Sequence, residues 1–284
     1  MVPMAILLEA RTPVSIESVS GAGDYPLRFR VWRPRSESRA TIVMLGGIMS
    51  NAAWHFPLVD AWTDAGFTVV GADRRGSGLN ELARGDAPSA AAIIDDAMAV
   101  IDAAVPADQP LVLVGWCWGS ILALNLLKPL GERLTGLVLA APGLFPSEQV
   151  QDLSARHEAE AAGAAQDDPA IASPITEEMF TTGPYLDAWI LRDEKRLRHF
   201  TPRFRDHMRK LGMGAAMALR KVKVPTLVLL ADDDAATDNA AVREKMAKLP
   251  EGLVRIETTP GAHAIQFEHP AFFTAAVTTF FDGL

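Results

Sequence analysis

The chain has 284 residues, 49% of them hydrophobic and 22% charged, a composition that supports a large buried core and excludes disorder as the default. A formal net charge of -8 repels phosphate polymers, which argues against nucleic acid or an anionic membrane surface as a general partner. The single cysteine, Cys117, excludes an intrachain disulfide.

The opening run from Met1 to Leu8 lacks a basic flank and makes a poor secretion signal. No stretch reaches the roughly 20 apolar residues of a membrane-spanning helix, so the expectation is a cytoplasmic protein with no membrane span. Next come two extended stretches, Ile16 to Ser20 and Leu27 to Pro34, joined by Gly21-Ala22-Gly23-Asp24. With no helix between them they predict an antiparallel hairpin at a sheet edge. Short apolar runs rich in β-branched residues follow at Thr41 to Leu45, Thr68 to Ala72, Leu111 to Val114, Gly136 to Ala140, Thr226 to Ala231 and Leu253 to Thr258. Segments of helical spacing lie among them, at Ala90 to Ala104, Trp118 to Leu130, Ala240 to Leu249 and Pro270 to Phe281. This alternation predicts an α/β fold, a mainly parallel central sheet with helices on both faces.

The rhythm stops between Pro142 and Lys223, where helix-like pieces are broken by Pro and Gly and no strand is apparent. A structureless connection of that length is uncommon in a compact domain. The expected organisation is therefore a core of residues 1–141 and 224–284 with a helical cap inserted at 142–223. Within the cap, residues 192–223 carry 11 Lys/Arg against three Asp/Glu. A solvated helix face is the plainer reading of that charge; recognition of a phosphopantetheine arm or an acidic carrier is the functional one.

The window with most chemical content is Gly115-Trp116-Cys117-Trp118-Gly119, a Gly-x-Cys-x-Gly pentad between a strand and a helix. A nucleophile elbow needs this setting: a sharp strained turn, with glycines two positions away on either side so that no side chain meets the adjoining strand and helix. A buried cysteine elsewhere would read as inert filler, but here it sits at a helix N-terminus, which favours the reactive thiolate. Two further turns follow strands, Leu45-Gly46-Gly47-Ile48 and Asp73-Arg74-Arg75-Gly76-Ser77-Gly78. On these three motifs the chain resembles the α/β-hydrolase superfamily over nearly its whole length, and specifically its capped monoglyceride-lipase or lysophospholipase-like branch. It departs in Leu45, where a histidine is usual, and in Cys117, where a serine is usual.

The resemblance implies the rest of the site. The acid falls in Asp232-Asp233-Asp234-Ala235-Ala236-Thr237-Asp238, at Asp234 by the family pattern, with Asp232, Asp233 and Asp238 as competing choices. The histidine is His263 in Pro260-Gly261-Ala262-His263, with His269 as the alternative. The oxyanion-hole amides are those of Ile48 and Trp118. Trp116 and Trp118 either bound a substrate pocket or pack against neighbouring elements. In the cap, Met179, Tyr185 and Trp189, with Phe180, Phe200, Phe204 and Met208, either line an acyl pocket or pack between helices.

The expected activity is acyl hydrolysis or transfer through an acyl-Cys117 intermediate. A thiolate forms a thioester, so activated acyl donors, including one carried on a phosphopantetheine thioester, suit it best. Two other classes remain open: a lyase with His263 as the base that eliminates a carboxylate, and a scaffold that binds a ligand without turnover. No metal-ligand spacing, dinucleotide fingerprint or Walker loop is visible, so no metal or cofactor is implied.

Overall fold

The computed structural model describes residues 10–48, 50–80, 87–160 and 202–284. Eight strands form one sheet: β1 (Val14–Ser20), β2 (Pro26–Trp32), β3 (Ala40–Leu45), β4 (Phe67–Ala72), β5 (Leu111–Trp116), β6 (Leu134–Ala140), β7 (Thr226–Ala231) and β8 (Val254–Thr259). Their order across the sheet is β1-β2-β4-β3-β5-β6-β7-β8. The β1–β2 and β2–β4 pairs are antiparallel and every later pair is parallel.

The burial of each strand follows its place in this order. In β3, β5 and β7 every residue is buried, as a parallel strand covered on both faces requires, and their sequences are accordingly continuous apolar runs. The edge strand β1 alternates exposed and half-buried residues instead. The hairpin read from the sequence is therefore the antiparallel β1–β2 edge, in register from Val14 opposite Trp32 to Ser20 opposite Pro26.

Helices α1 (Phe56–Asp64), α2 (Ala90–Ala104) and α3 (Trp118–Leu130) follow β3, β4 and β5. After β7 come α6 (Asn239–Met246) and, after β8, α7 (Ile265–Glu268) and α8 (Pro270–Asp282). α1 packs against α8 and β4, whereas α2 and α3 pack against each other, with α3 on β5 and β6. Helix starts are chemically fixed: Ser89 Oγ accepts from the Ala92 amide at 3.1 Å to cap α2, and Asp238 Oδ1 accepts from the Ala241 amide at 2.9 Å to cap α6.

Between β6 and β7 the described residues hold two helices, α4 (Glu148–Glu160) and α5 (Pro202–Leu219), and no strand. α5 lies along α3, where Asn125 Nδ2 donates to the carbonyls of Ile121 at 2.8 Å and Leu211 at 2.9 Å. A Cβ at Gly214 would stand 2.4 Å from Asn125 Oδ1, so this crossing depends on the glycine. Met179, Phe180, Tyr185, Trp189 and Phe200 lie outside the described residues.

Candidate active site

β5 ends at Trp116 and α3 begins at Trp118, so Cys117 makes the whole turn. Its backbone sits at φ 53, ψ -120, a conformation that costs a non-glycine residue about 1 to 3 kcal/mol and persists only where the surroundings impose it. Here they do. The Cys117 amide donates to the Ala140 carbonyl at 2.9 Å, and the Cys117 carbonyl accepts from the amides of Ser120 and Gly143, both at 3.0 Å.

The flanking glycines are steric necessities. A Cβ on Gly115 would lie 2.6 Å from the Gly119 carbonyl oxygen, and one on Gly119 would lie 1.9 Å from the Leu45 carbonyl oxygen. Two more glycines press on the turn from outside the pentad. A Cβ on Gly143 would stand 3.0 Å from the Trp118 nitrogen, and one on Gly47 would stand 3.3 Å from Cys117 Cβ. The loop after β3 thus runs directly over the cysteine.

Asp234 follows β7 and His263 follows β8, so the parallel β7–β8 pairing brings their loops side by side. His263 Nδ1 lies 2.9 Å from Asp234 Oδ2 and 3.1 Å from Oδ1. Asp234 Oδ1 also accepts from the amides of Ala236 at 2.8 Å and Thr237 at 3.1 Å. Burial alone would push this carboxyl up, but the His263 charge and these hydrogen bonds outweigh it and hold it below the usual carboxylate range. Burial likewise disfavours the His263 imidazolium, yet the adjacent Asp234 and Cys117 reverse that and raise it to about 10. Both the acidic partner and the thiol side therefore stabilise a charged ring.

The competing choices separate by position. Asp232 and Asp233 are exposed, Asp238 is spent on capping α6, and only Asp234 is buried against the ring. His269 stands at the N-terminus of α8, away from Asp234, so the loop brings His263 and not His269 to the carboxylate.

Cys117 and His263 open onto one cavity of about 330 Å³. Ile48, Trp118, Ile121, Gly143, Pro146, Val150, Met208 and Ala236 give it an apolar wall, with Glu158, Arg205 and Arg209 as its charged members. Of the cap residues singled out in the sequence, Met208 lines this space, while Phe204 is buried with its ring centre 6.2 Å from that of Trp118. Trp116 does not line it, which corrects its reading as a substrate contact. Its side chain is fully buried, and its indole N–H donates to the His263 carbonyl at 2.9 Å, so it fixes the histidine loop from behind. Strand alternation explains the difference: Trp116 is the last residue of β5 and points into the sheet packing, while Trp118 lies beyond the turn. Among the described residues no cluster of three or more His, Cys, Asp or Glu side chains is placed to hold a metal ion, and no helix is long and apolar enough to cross a membrane.

Sequence reasoning passed over several groups that build this site. Thr237 donates its amide to Asp234 and brings its hydroxyl 3.5 Å from His263 Nδ1. An aspartate whose oxygen takes the amides two and three residues on is a recognisable turn pattern, legible in Asp234-Ala235-Ala236-Thr237. Glu268 accepts from the Ala262 amide at 2.7 Å and steadies the histidine loop; the spacing gives no signal for that.

The chain is 27% identical over 208 residues to phospholipase YtpA of Bacillus subtilis (strain 168), covering 72% of this chain and 79% of that one. A lipase solved in an open form superposes with a TM-score of 0.77 at 19% identity, over 95% of this chain and 98% of the other. A soluble variant of monoglyceride lipase from Saccharomyces cerevisiae, in complex with a substrate analogue, gives a TM-score of 0.76 at 14% identity over 97% of each chain. The family model described as serine aminopeptidase, S33, matches residues 36–270, a span that takes in the turn at Cys117 together with Asp234 and His263, so this chain is an α/β-hydrolase of that family, one whose elbow carries cysteine.

Proposed function

We propose that the protein is a cysteine-dependent acyl hydrolase or acyltransferase that acts on ester or thioester bonds through an acyl-Cys117 intermediate. The observation that carries this reading is the strained turn at Cys117, open to the same cavity as a histidine whose other face is tied to a buried carboxylate. Helices α4 and α5, which line that cavity through Val150, Arg205 and Met208, act as its cap.

In this reading Asp234 fixes the His263 tautomer and stabilises its positive form, the role of the acid in such triads. The raised His263 favours the imidazolium that carries the proton when Cys117 attacks as the thiolate. Cys117 Sγ bonds to the acyl carbon as the carbonyl π electrons move to oxygen. The amides of Ile48 and Trp118 receive that oxyanion. The tetrahedral species collapses, the bond to the leaving oxygen or sulfur breaks, and the His263 proton goes to the leaving group. A second nucleophile, water in hydrolysis or an alcohol or amine in transfer, then attacks the thioester with His263 as base.

The apolar wall of Ile121, Val150 and Met208 suits a small or medium acyl chain. A thioester donor exchanges one thioester for another, whereas an ordinary alkyl ester must climb, so thioesters and activated esters are the better donors. Incubation with p-nitrophenyl butyrate and with a butyryl thioester, followed by intact-mass analysis, tests this directly. A butyryl increment on Cys117, absent in Cys117→Ala, supports covalent catalysis. Undiminished turnover in Cys117→Ala would refute it.

A further inference from the structure

The two amides assigned above to the oxyanion lie on different elements, Ile48 on the loop after β3 and Trp118 at the start of α3. A single side chain from a third element meets the Trp118 ring directly and Ile48 through an arginine. Phe204, in the first turn of α5, is 1% exposed. Its ring centre lies 6.2 Å from that of Trp118, and the Arg74 guanidinium carbon stands 4.5 Å from the centre of the Phe204 ring. Arg74 then donates to the Ile48 carbonyl at 3.1 Å and to the Arg75 carbonyl at 3.0 Å.

The peptide geometry gives these contacts a consequence. The Gly47 carbonyl accepts from the Ser50 amide at 3.1 Å and from Ser50 Oγ at 3.0 Å. Because that peptide is trans, the Ile48 N–H on the same plane points the opposite way. The following plane carries the Ile48 carbonyl, which Arg74 holds. Both peptide planes around Ile48 are thus pinned, one by Ser50 from within the loop and one by Arg74 from outside it. α5 itself is tied to the nucleophile helix through Asn125 and Leu211, so the ring that stacks on Arg74 is carried by an element in fixed relation to Cys117.

We propose that Phe204 and Arg74 are positioning residues through which helix α5 sets the geometry of the oxyanion hole, an inference that rests on the acyl-transfer reading above. Neither touches the reacting atoms. Phe204 braces the Trp118 ring and presents a π face to the guanidinium; Arg74 converts that contact into a fixed Ile48 carbonyl. Removing either one leaves the thiol and histidine in place and loosens an oxyanion donor.

The test uses Phe204→Ala, Arg74→Ala and their double variant, with Phe204→Leu and Arg74→Lys as milder replacements where an alanine variant does not fold. Two rates are measured on each: turnover of p-nitrophenyl butyrate, and alkylation of Cys117 by iodoacetamide, which needs the thiolate and no oxyanion hole. Outright loss of one oxyanion donor lowers kcat by roughly 100-fold to 1,000-fold, so a loosened donor is expected to lower it by about 10-fold. KM and the alkylation rate should stay within about twofold, and the double variant should be no slower than the worse single one. Unchanged kcat in folded variants overturns the inference, and so does a parallel fall in alkylation, which marks general damage. Failure of the wild-type protein to form a butyryl adduct overturns the acyl-transfer reading instead.

Discussion

Asp73 and Asp234 occupy equivalent places, each just beyond the C-terminal end of a parallel strand and each buried opposite a cation. Their surroundings separate them. Asp73 accepts from Arg30 at 2.8 Å and from the amides of Ala52 at 2.6 Å and Leu79 at 3.0 Å. A Cβ on Gly78 would stand 2.2 Å from its carboxylate, so the turn needs the glycine to pass this close to it. Burial wins there and Asp73 is pushed up despite Arg30. At Asp234 the cation is a histidine whose far edge faces a cavity and a thiol, and the carboxyl is held down. Both are satisfied buried carboxylates; what differs is that one network ends in an arginine and backbone amides and the other in a histidine that shares a cavity with a thiol. The contrast says that burial and perturbation do not by themselves mark a reactive group.

Substitutions should divide along this line. The largest effect is expected at Cys117. In Cys117→Ala turnover of a thioester should fall by about 10⁶-fold, with no covalent adduct and little change in melting temperature, read by steady-state kinetics beside calorimetry. Asp234→Asn should lower kcat by about 10⁴-fold, because the histidine loses its fixed tautomer; retention of wild-type kcat would put Asp234 in the same structural class as Asp73. Asp73→Asn should do the reverse. It removes one acceptor oxygen from a buried group that takes two backbone amides and Arg30 and should destabilise the fold by about 1 to 3 kcal/mol, seen in urea titration, while the folded fraction keeps the wild-type rate of Cys117 alkylation.

The smallest effect, and the sharpest test of the Asp234–His263 pair, is its pH dependence. Asp234 is held below the unfolded value of about 3.9, so its contribution is present above that pH and is lost as pH falls through the native value. His263 is raised to about 10 from an unfolded value of about 6.5, so its contribution is complete below pH 6.5 and disappears as pH rises toward 10. The melting-temperature gap between wild type and Asp234→Asn should therefore be widest between about pH 4 and 6.5 and close by a few degrees on the alkaline side. A gap constant from pH 5 to 10 would mean that the ring is not charged in the native protein.

Much of this could be read from the sequence because the motifs are steric statements. Continuous apolar runs such as Val112-Leu113-Val114 mark strands buried on both faces, and Gly115 and Gly119 mark a turn with no room for a Cβ. The boundaries of α2 and α3 coincide with those expected, since Ser89 and the Cys117 turn fix their starts. What escaped were contacts between elements remote in the chain. Trp116 reaches the His263 carbonyl across 147 positions, and no local pattern distinguishes an indole that props a loop from one that lines a pocket. Arg74 escaped for a related reason: within the Asp73 to Gly78 motif nothing sets it apart, and only the packed structure puts its guanidinium between Phe204 and Ile48.

The missing side chain of Gly119 has a mechanical result. Since even one added carbon would overlap the Leu45 oxygen, strand β3, which leads into the Gly46-Gly47 loop, and helix α3, which follows Cys117, touch main chain to main chain. No rotamer stands between them to hop or repack, so the end of β3 and the start of α3 are spaced by backbone covalent geometry alone, and only the loop beyond Gly47 is left to the side chains that hold it. The far wall of the cavity, built of side chains such as Val150 and Met208, is by contrast free to repack without moving that backbone contact.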